Sequence, residues 1–115
     1  MRPSVPSRDW KIRITDILQA IKEILELTEG MTAAQFSQDA RTVKAVLYNF
    51  AVIGEAARHV PIEVREAWPA VPWREMGDMR NVVIHEYFGV DPEIIWETIR
   101  QELSPLTPQL EEILK

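Results

Sequence analysis

Polar residues capable of chemistry interrupt an apolar run near the middle of the second half of the chain. The segment MRNVVIHEYFGVD, Met79 to Asp91, carries Arg80, Asn81, His85 and Tyr87 among Val, Ile and Phe. Arginine is almost never fully buried without a partner, so this run is not simply a core segment. A guanidinium grips phosphate oxygens in a fork and offsets charge that develops in a transition state. An imidazole titrates near neutral pH and serves as general base or acid. In a helix turning about 100° per residue, Asn81 and His85 share a face, while Arg80 sits roughly 140° from His85. Only the long side chain of Arg80 brings it to the same space, and Tyr87 falls near the helix end, at a different angle to the same cleft. By residue type alone two readings stay open: an amphipathic helix with a polar edge, and a helix that presents an Arg–His pair to phosphate.

The rest of the inventory narrows the chemistry. The histidines are His59 and His85, and neither stands in a zinc-ligand pattern. There is no Gly-rich phosphate loop, no G-x-S-x-G and no EF-hand loop, so no metal site or cofactor is expected. His59 follows Arg58 at the end of an expected helix, where a histidine meets the helix dipole favourably; it reads as structural or solvent-facing. The chain has no cysteine, which removes disulfides and thiolate chemistry.

At 115 residues the chain is sized for one domain, expected over residues 9–115 behind a flexible N-terminal segment 1–8. No apolar run approaches the roughly 18–20 residues of a membrane span, and MRPSVPSRDWK lacks the apolar centre of a secretory signal. Cytoplasm is the expected location. Thirteen Lys and Arg against eighteen Asp and Glu give a net charge of −5. Affinity for phosphate backbones comes largely from Lys and Arg, so this balance argues against a DNA-binding scaffold. It leaves room for RNA in a local basic cleft, or in one formed where two copies meet.

The elements that must position the motif read as helices throughout. From Asp9 to about Leu27, Ile12, Ile14, Ile17, Leu18, Ile21, Ile24, Leu25 and Leu27 recur at mostly three- and four-residue steps, with Gly30 as a left-handed stop. Ser37 or Asp39 caps a second long helix with the stripe Val43, Val46, Leu47, Phe50, Ile53, Ala57 and Val60. Gly54, Ala56 and Ala57 fall within one turn of it and suit close approach by a neighbour. A short helix follows Pro61, with boundaries at Trp68 and Val71 before prolines. The motif helix then runs from Trp73 to a stop at Gly89, and Asp91-Pro92 starts the last helix, which carries Ile94, Ile95, Trp96, Ile99 and Leu103 and is interrupted by Pro105 and Pro108. Four long helices and a short one make an all-α bundle.

Three blocks in order give this pattern a family likeness: DILQAIKEI (Asp16–Ile24), AVLYNFAVIGEAA (Ala45–Ala57) and PWREMGDMRNVVIHEYFGVDPEIIW (Pro72–Trp96). Together they resemble the HepT-like family of HEPN-domain proteins over about Asp9 to Leu103. The family hallmark is Arg, four residues, His, one residue, Tyr, matched by Arg80, His85 and Tyr87, with Asn81 as the polar residue after the Arg. Pro92 is a small departure outside the motif. The resemblance implies an up-and-down, four- to five-helix bundle that dimerises, each protomer lining a shared cleft with its motif.

The resemblance also implies function. The chain would be the toxin of a type II-like toxin–antitoxin pair, a metal-independent endoribonuclease with Arg80 and His85 catalytic and Asn81 supporting them. His85 would take the 2′-OH proton of RNA, and the product would carry a 2′,3′-cyclic phosphate. The expected partner is a minimal nucleotidyltransferase antitoxin that adds AMP to Tyr87. By residue type alone, Tyr87 reads first as an aromatic packed at the helix end beside Phe88, and it is the resemblance that raises the modification reading above this. A different class of reading is a non-catalytic module that binds the nucleotidyltransferase and a nucleotide. A third is a helical scaffold whose Arg–His pair makes interface contacts only.

Overall fold

The computed structural model describes residues 7–86 and 91–115, with the side chains of residues 7–9, 82 and 84–86 outside that description. The described chain is helical with no strand: α1 (Ser7–Thr28), α2 (Ala33–Gln38), α3 (Ala40–Arg58), α4 (Ile62–Ala67), α5 (Trp73–Glu86), α6 (Pro92–Thr98) and α7 (Leu106–Leu114). A π turn, Ile99–Leu103, extends α6. The expected all-α bundle is therefore the fold. None of the described helices is long and apolar enough to cross a membrane.

The first helix begins at Ser7, two residues before the expected start, and residues 1–6 of the N-terminal segment lie outside the described residues. Its inner face is Ile14, Ile17, Ile21 and Ile24, all with no solvent exposure. Burying each such side chain contributes about 1.5–3 kcal/mol. Ile12, expected on this face, is 56% exposed. It stands two residues from Ile14, about 160° around the helix, so it cannot share that stripe. Leu27 is likewise exposed, at the stripe's far flank. Gly30, at φ +76°, ends α1 in the left-handed region that glycine adopts without penalty.

Sequence periodicity passed over α2. Thr32 builds it through a capping box: its hydroxyl accepts the Gln35 N–H at 3.1 Å, and the Gln35 side chain accepts the Thr32 N–H at 2.9 Å. Phe36 from this short helix is fully buried and stacks obliquely on Trp96 of α6, 5.3 Å between centroids. Asp39 then closes α2 and caps α3 with one residue, its carboxylate accepting the Thr42 N–H at 3.1 Å.

Helix α3 is the centre of the bundle, packed on one side by α1 and on the other by α5. Val46, Leu47, Phe50, Ile53, Ala57 and Val60 are buried as their spacing predicts, with Val43 half-buried. Buried Asn49 donates to the Ala45 carbonyl at 3.0 Å and to Glu23 of α1 at 3.4 Å, so its amide is satisfied across the interface. Beyond α4, the Trp73 indole N–H donates to the Trp68 carbonyl at 3.0 Å and fixes the proline-punctuated entry into α5. Asp91 caps α6 as expected, accepting the Glu93 N–H at 3.0 Å ahead of Pro92. The Gly89 stop lies outside the described residues.

Two points at the C-terminal end differ from expectation. Ile94 is 51% exposed, while Ile95, Ile99 and Leu103 carry the buried face. Pro108 does not interrupt the last helix; it sits in the first turn of α7, where its missing N–H has no intrahelical partner to lose.

The tightest packing is between α3 and α5. A Cβ placed on Gly54 would stand 2.7 Å from the Arg80 backbone nitrogen, 2.8 Å from the Arg80 Cβ and 3.1 Å from the Gly77 carbonyl oxygen. These are backbone or backbone-proximal atoms, so the helices touch main chain to main chain. A Cβ on Gly77 would meet only the flexible Arg58 side chain, at 3.5 Å. Gly54→Ala should therefore destabilise by about 1–3 kcal/mol of overpacking, less about 1 kcal/mol of helix propensity gained, while Gly77→Ala should be neutral or mildly stabilising. Urea midpoints of the two variants check this; equal midpoints would contradict the close approach. The hydrogen bond donated by the Thr42 N–H holds the Asp39 carboxyl below the usual Asp range, so its contribution is complete above the ordinary Asp value of about 4 and is lost as pH falls through the folded value. Asp39→Ala should lower the midpoint near neutral pH, and the gap from wild type should close on acidification below about pH 4.

Candidate active site

The close approach at Gly54 places the first half of the motif. Helix α5 presents Trp73, Met76 and Met79 to the core, and Gly77 against α3. Arg80 and Asn81, three and four residues after Gly77, then fall on the edge shared with the last turns of α3. Both are half-buried.

Each of the two meets a side chain of α3. The Arg80 Nε lies 3.3 Å from Oε1 of Glu55, the residue directly after Gly54. Their side chains are 42% and 51% exposed, so the pair is a surface ion pair of about 0–1 kcal/mol. Its consequence is direction rather than stability: the carboxylate holds the guanidinium at the edge where α5 meets α3. One turn on, Arg58 Nη2 donates to Asn81 Oδ1 at 3.3 Å. The Glu55 carboxylate also stands 3.6 Å from Nδ1 of His59, which lies 2.8 Å from the Glu55 carbonyl oxygen. His59 is thus half-exposed at the end of α3, as its position predicts.

Arg80 forms one side of an open groove of about 360 Å³, walled by Arg13 and Asp16 of α1 and by Tyr48, Val52 and Glu55 among the residues of α3. The groove balances two guanidiniums against two carboxylates. Tyr48, 69% exposed, supplies an aromatic face at its edge. The backbone of His85 continues α5 one helical turn beyond Asn81; its side chain, and all of Tyr87, lie outside the described residues. The structure therefore brings Arg80 and Asn81 to one edge, with Glu55 and Arg58 as partners that motif spacing did not reveal. A signal for them was present in GEAAR, where two charges flank a small-residue contact at three-residue spacing, on the side of the helix that meets its neighbour.

With this geometry in hand, similarity to other proteins is informative. Residues 17–113 match the family described as "Ribonuclease HepT-like". The chain is 37% identical over 111 residues to "Putative RNase MJ0127" of Methanocaldococcus jannaschii, covering 96% of this chain and 92% of that protein. It is 41% identical over 99 residues to "Putative RNase TTE0752" of Caldanaerobacter subterraneus subsp. tengcongensis, covering 86% and 88%. Over 108 residues it is 36% identical to "Probable ribonuclease HepT" of Thermococcus cleftensis, covering 94% and 98%. No solved structure matches the chain. Its helical span, its Arg80–Asn81 edge and these relatives coincide, and the chain belongs to the HepT-like ribonuclease family.

Proposed function

We propose that this protein is an endoribonuclease that cleaves RNA by 2′-OH attack without a metal ion, and that it is the toxin of a toxin–antitoxin pair. The observation that carries the reading is the half-exposed Arg80 guanidinium at the groove on α5, in a chain of the HepT-like ribonuclease family. In the proposed reaction, His85 accepts the proton of a ribose 2′-OH. The 2′-oxygen bonds to the adjacent phosphorus and the bond to the 5′-oxygen breaks. That oxygen takes up a proton as it leaves, and a 2′,3′-cyclic phosphate remains. Arg80 offsets the charge that accumulates on the phosphate oxygens, and Asn81 contributes a further polar contact.

Pairing of two protomers about a two-fold axis would set both motifs along one cleft and double its cationic groups without changing the charge per chain. The proposed partner is a minimal nucleotidyltransferase that inactivates the toxin by adding AMP to Tyr87. The net charge of −5 favours the competing reading, a binding module for that same partner with no nuclease activity.

Expression of the wild type alone should arrest growth and fragment cellular RNA, and Arg80→Ala or His85→Ala should abolish both. Purified protein should cleave RNA equally with and without chelator and leave cyclic-phosphate ends. Undiminished cleavage by His85→Ala, with contaminating nuclease excluded, would rule out this role for the imidazole; intact RNA and normal growth under strong wild-type expression would favour the binding module. Coexpression with the nucleotidyltransferase should add the mass of one or more AMP units, lost in Tyr87→Phe, and an unchanged mass would remove the modification from the proposal.

A further inference from the structure

Arg58 lies on the last turn of α3, outside the Arg–His motif, yet its side chain reaches across to it. The stem passes over α5 at Gly77, with Cγ 3.5 Å and Nε 3.7 Å from where a Cβ would sit there. The guanidinium ends on Asn81, Nη2 to Oδ1, at 3.3 Å.

That contact fixes the chemistry of Asn81. A guanidinium offers only donors, so the Asn81 atom facing it is the amide oxygen. With the oxygen engaged, what remains of the Asn81 amide is its NH2 group, again a donor. Arg58 and Asn81 together therefore present donors backed by a full positive charge. Such a set suits phosphate oxygens, which only accept. Arg80 differs, because Glu55 lies 3.3 Å from it and offsets part of its charge. Among the described residues no carboxylate lies within ion-pairing distance of Arg58. Among those residues, the exposed Arg58 guanidinium is less neutralised than that of Arg80.

We propose that Arg58 is a second phosphate-binding residue of this site, one that contacts the RNA backbone beside the cleaved phosphate and orients Asn81 as a donor toward it. The proposal rests on the ribonuclease reading above and adds a residue to its substrate surface. It also locates positive charge that the acidic composition conceals.

Binding of a 2′-O-methylated RNA oligonucleotide, which keeps the phosphates but cannot undergo 2′-OH attack, tests it across a potassium chloride series. Arg58→Ala should weaken binding in every sequence tried and flatten the slope of log affinity against log salt by about 0.7 for each Arg58 in contact. Arg58→Gln, which retains a donor for Asn81 but no charge, should flatten the slope equally while its thermal melt matches wild type. Arg58→Lys should restore the slope. With cleavable RNA, the Arg58→Ala loss should fall mainly on KM. If both uncharged variants fold and keep the wild-type slope and affinity, Arg58 serves packing only and the proposal fails while the ribonuclease reading stands. If the wild type neither binds the oligonucleotide nor cleaves RNA, the ribonuclease reading itself fails and this assignment falls with it.

Discussion

The contact on which the site depends is a missing side chain. Gly54 lets the main chain of α3 come against the main chain of α5 at Arg80, where a methyl group would overlap atoms that cannot rotate away. Everything polar nearby follows from that distance. Glu55, next in sequence, is carried to the Arg80 guanidinium, and Arg58, one turn later, is carried to Asn81. A bulkier contact would separate the helices and leave both pairs out of reach. The packing that buries Met76 and Met79 is therefore also the packing that aims the motif.

Much of this was legible in the sequence, because the strongest signals are periodic. The stripe of α3 and the Asp91-Pro92 start of α6 follow from spacing and cap chemistry, and both are found where spacing puts them. Gly54, Ala56 and Ala57 announced a close approach, though not which helix would make it. What spacing could not supply was partnership. Glu55 and Arg58 are ordinary charges on a helix until α5 arrives, since cross-helix pairing depends on tertiary register. Helix α2 was missed for a different reason: six residues are too few for a period, and only the Thr32–Gln35 capping box marks its start. Ile12 is apolar in type but lies across α1 from the buried stripe, and its angle on the helix outweighs its type.

The charge distribution also reconciles composition with the proposed substrate. A net charge of −5 describes the molecule from afar, where screening averages all groups within a Debye length of about 10 Å at ordinary salt. A phosphate at the α3–α5 edge instead meets individual groups at a few ångströms. There, among the described residues, Arg80 is tempered by Glu55, and Arg58 stands with the amide of Asn81. An acidic exterior around a small cationic edge would repel polyanions except where they dock, trading rate of encounter for selectivity.

The π turn at Ile99–Leu103 bears on how this architecture tolerates change in length. Successive four-residue steps, from Ile95 to Ile99 to Leu103, would carry an apolar stripe around an α-helix by about 40° each. A wider turn gives that rotation back, so all three side chains stay buried. Leu106, Leu110 and Ile113 then resume the buried face beyond Pro105. The C-terminal arm thus contains a phase adjuster, a place where a residue gained or lost can be absorbed as local winding. Such a slip would be settled against α1 and the other side of the bundle, and the α3–α5 edge would not have to move.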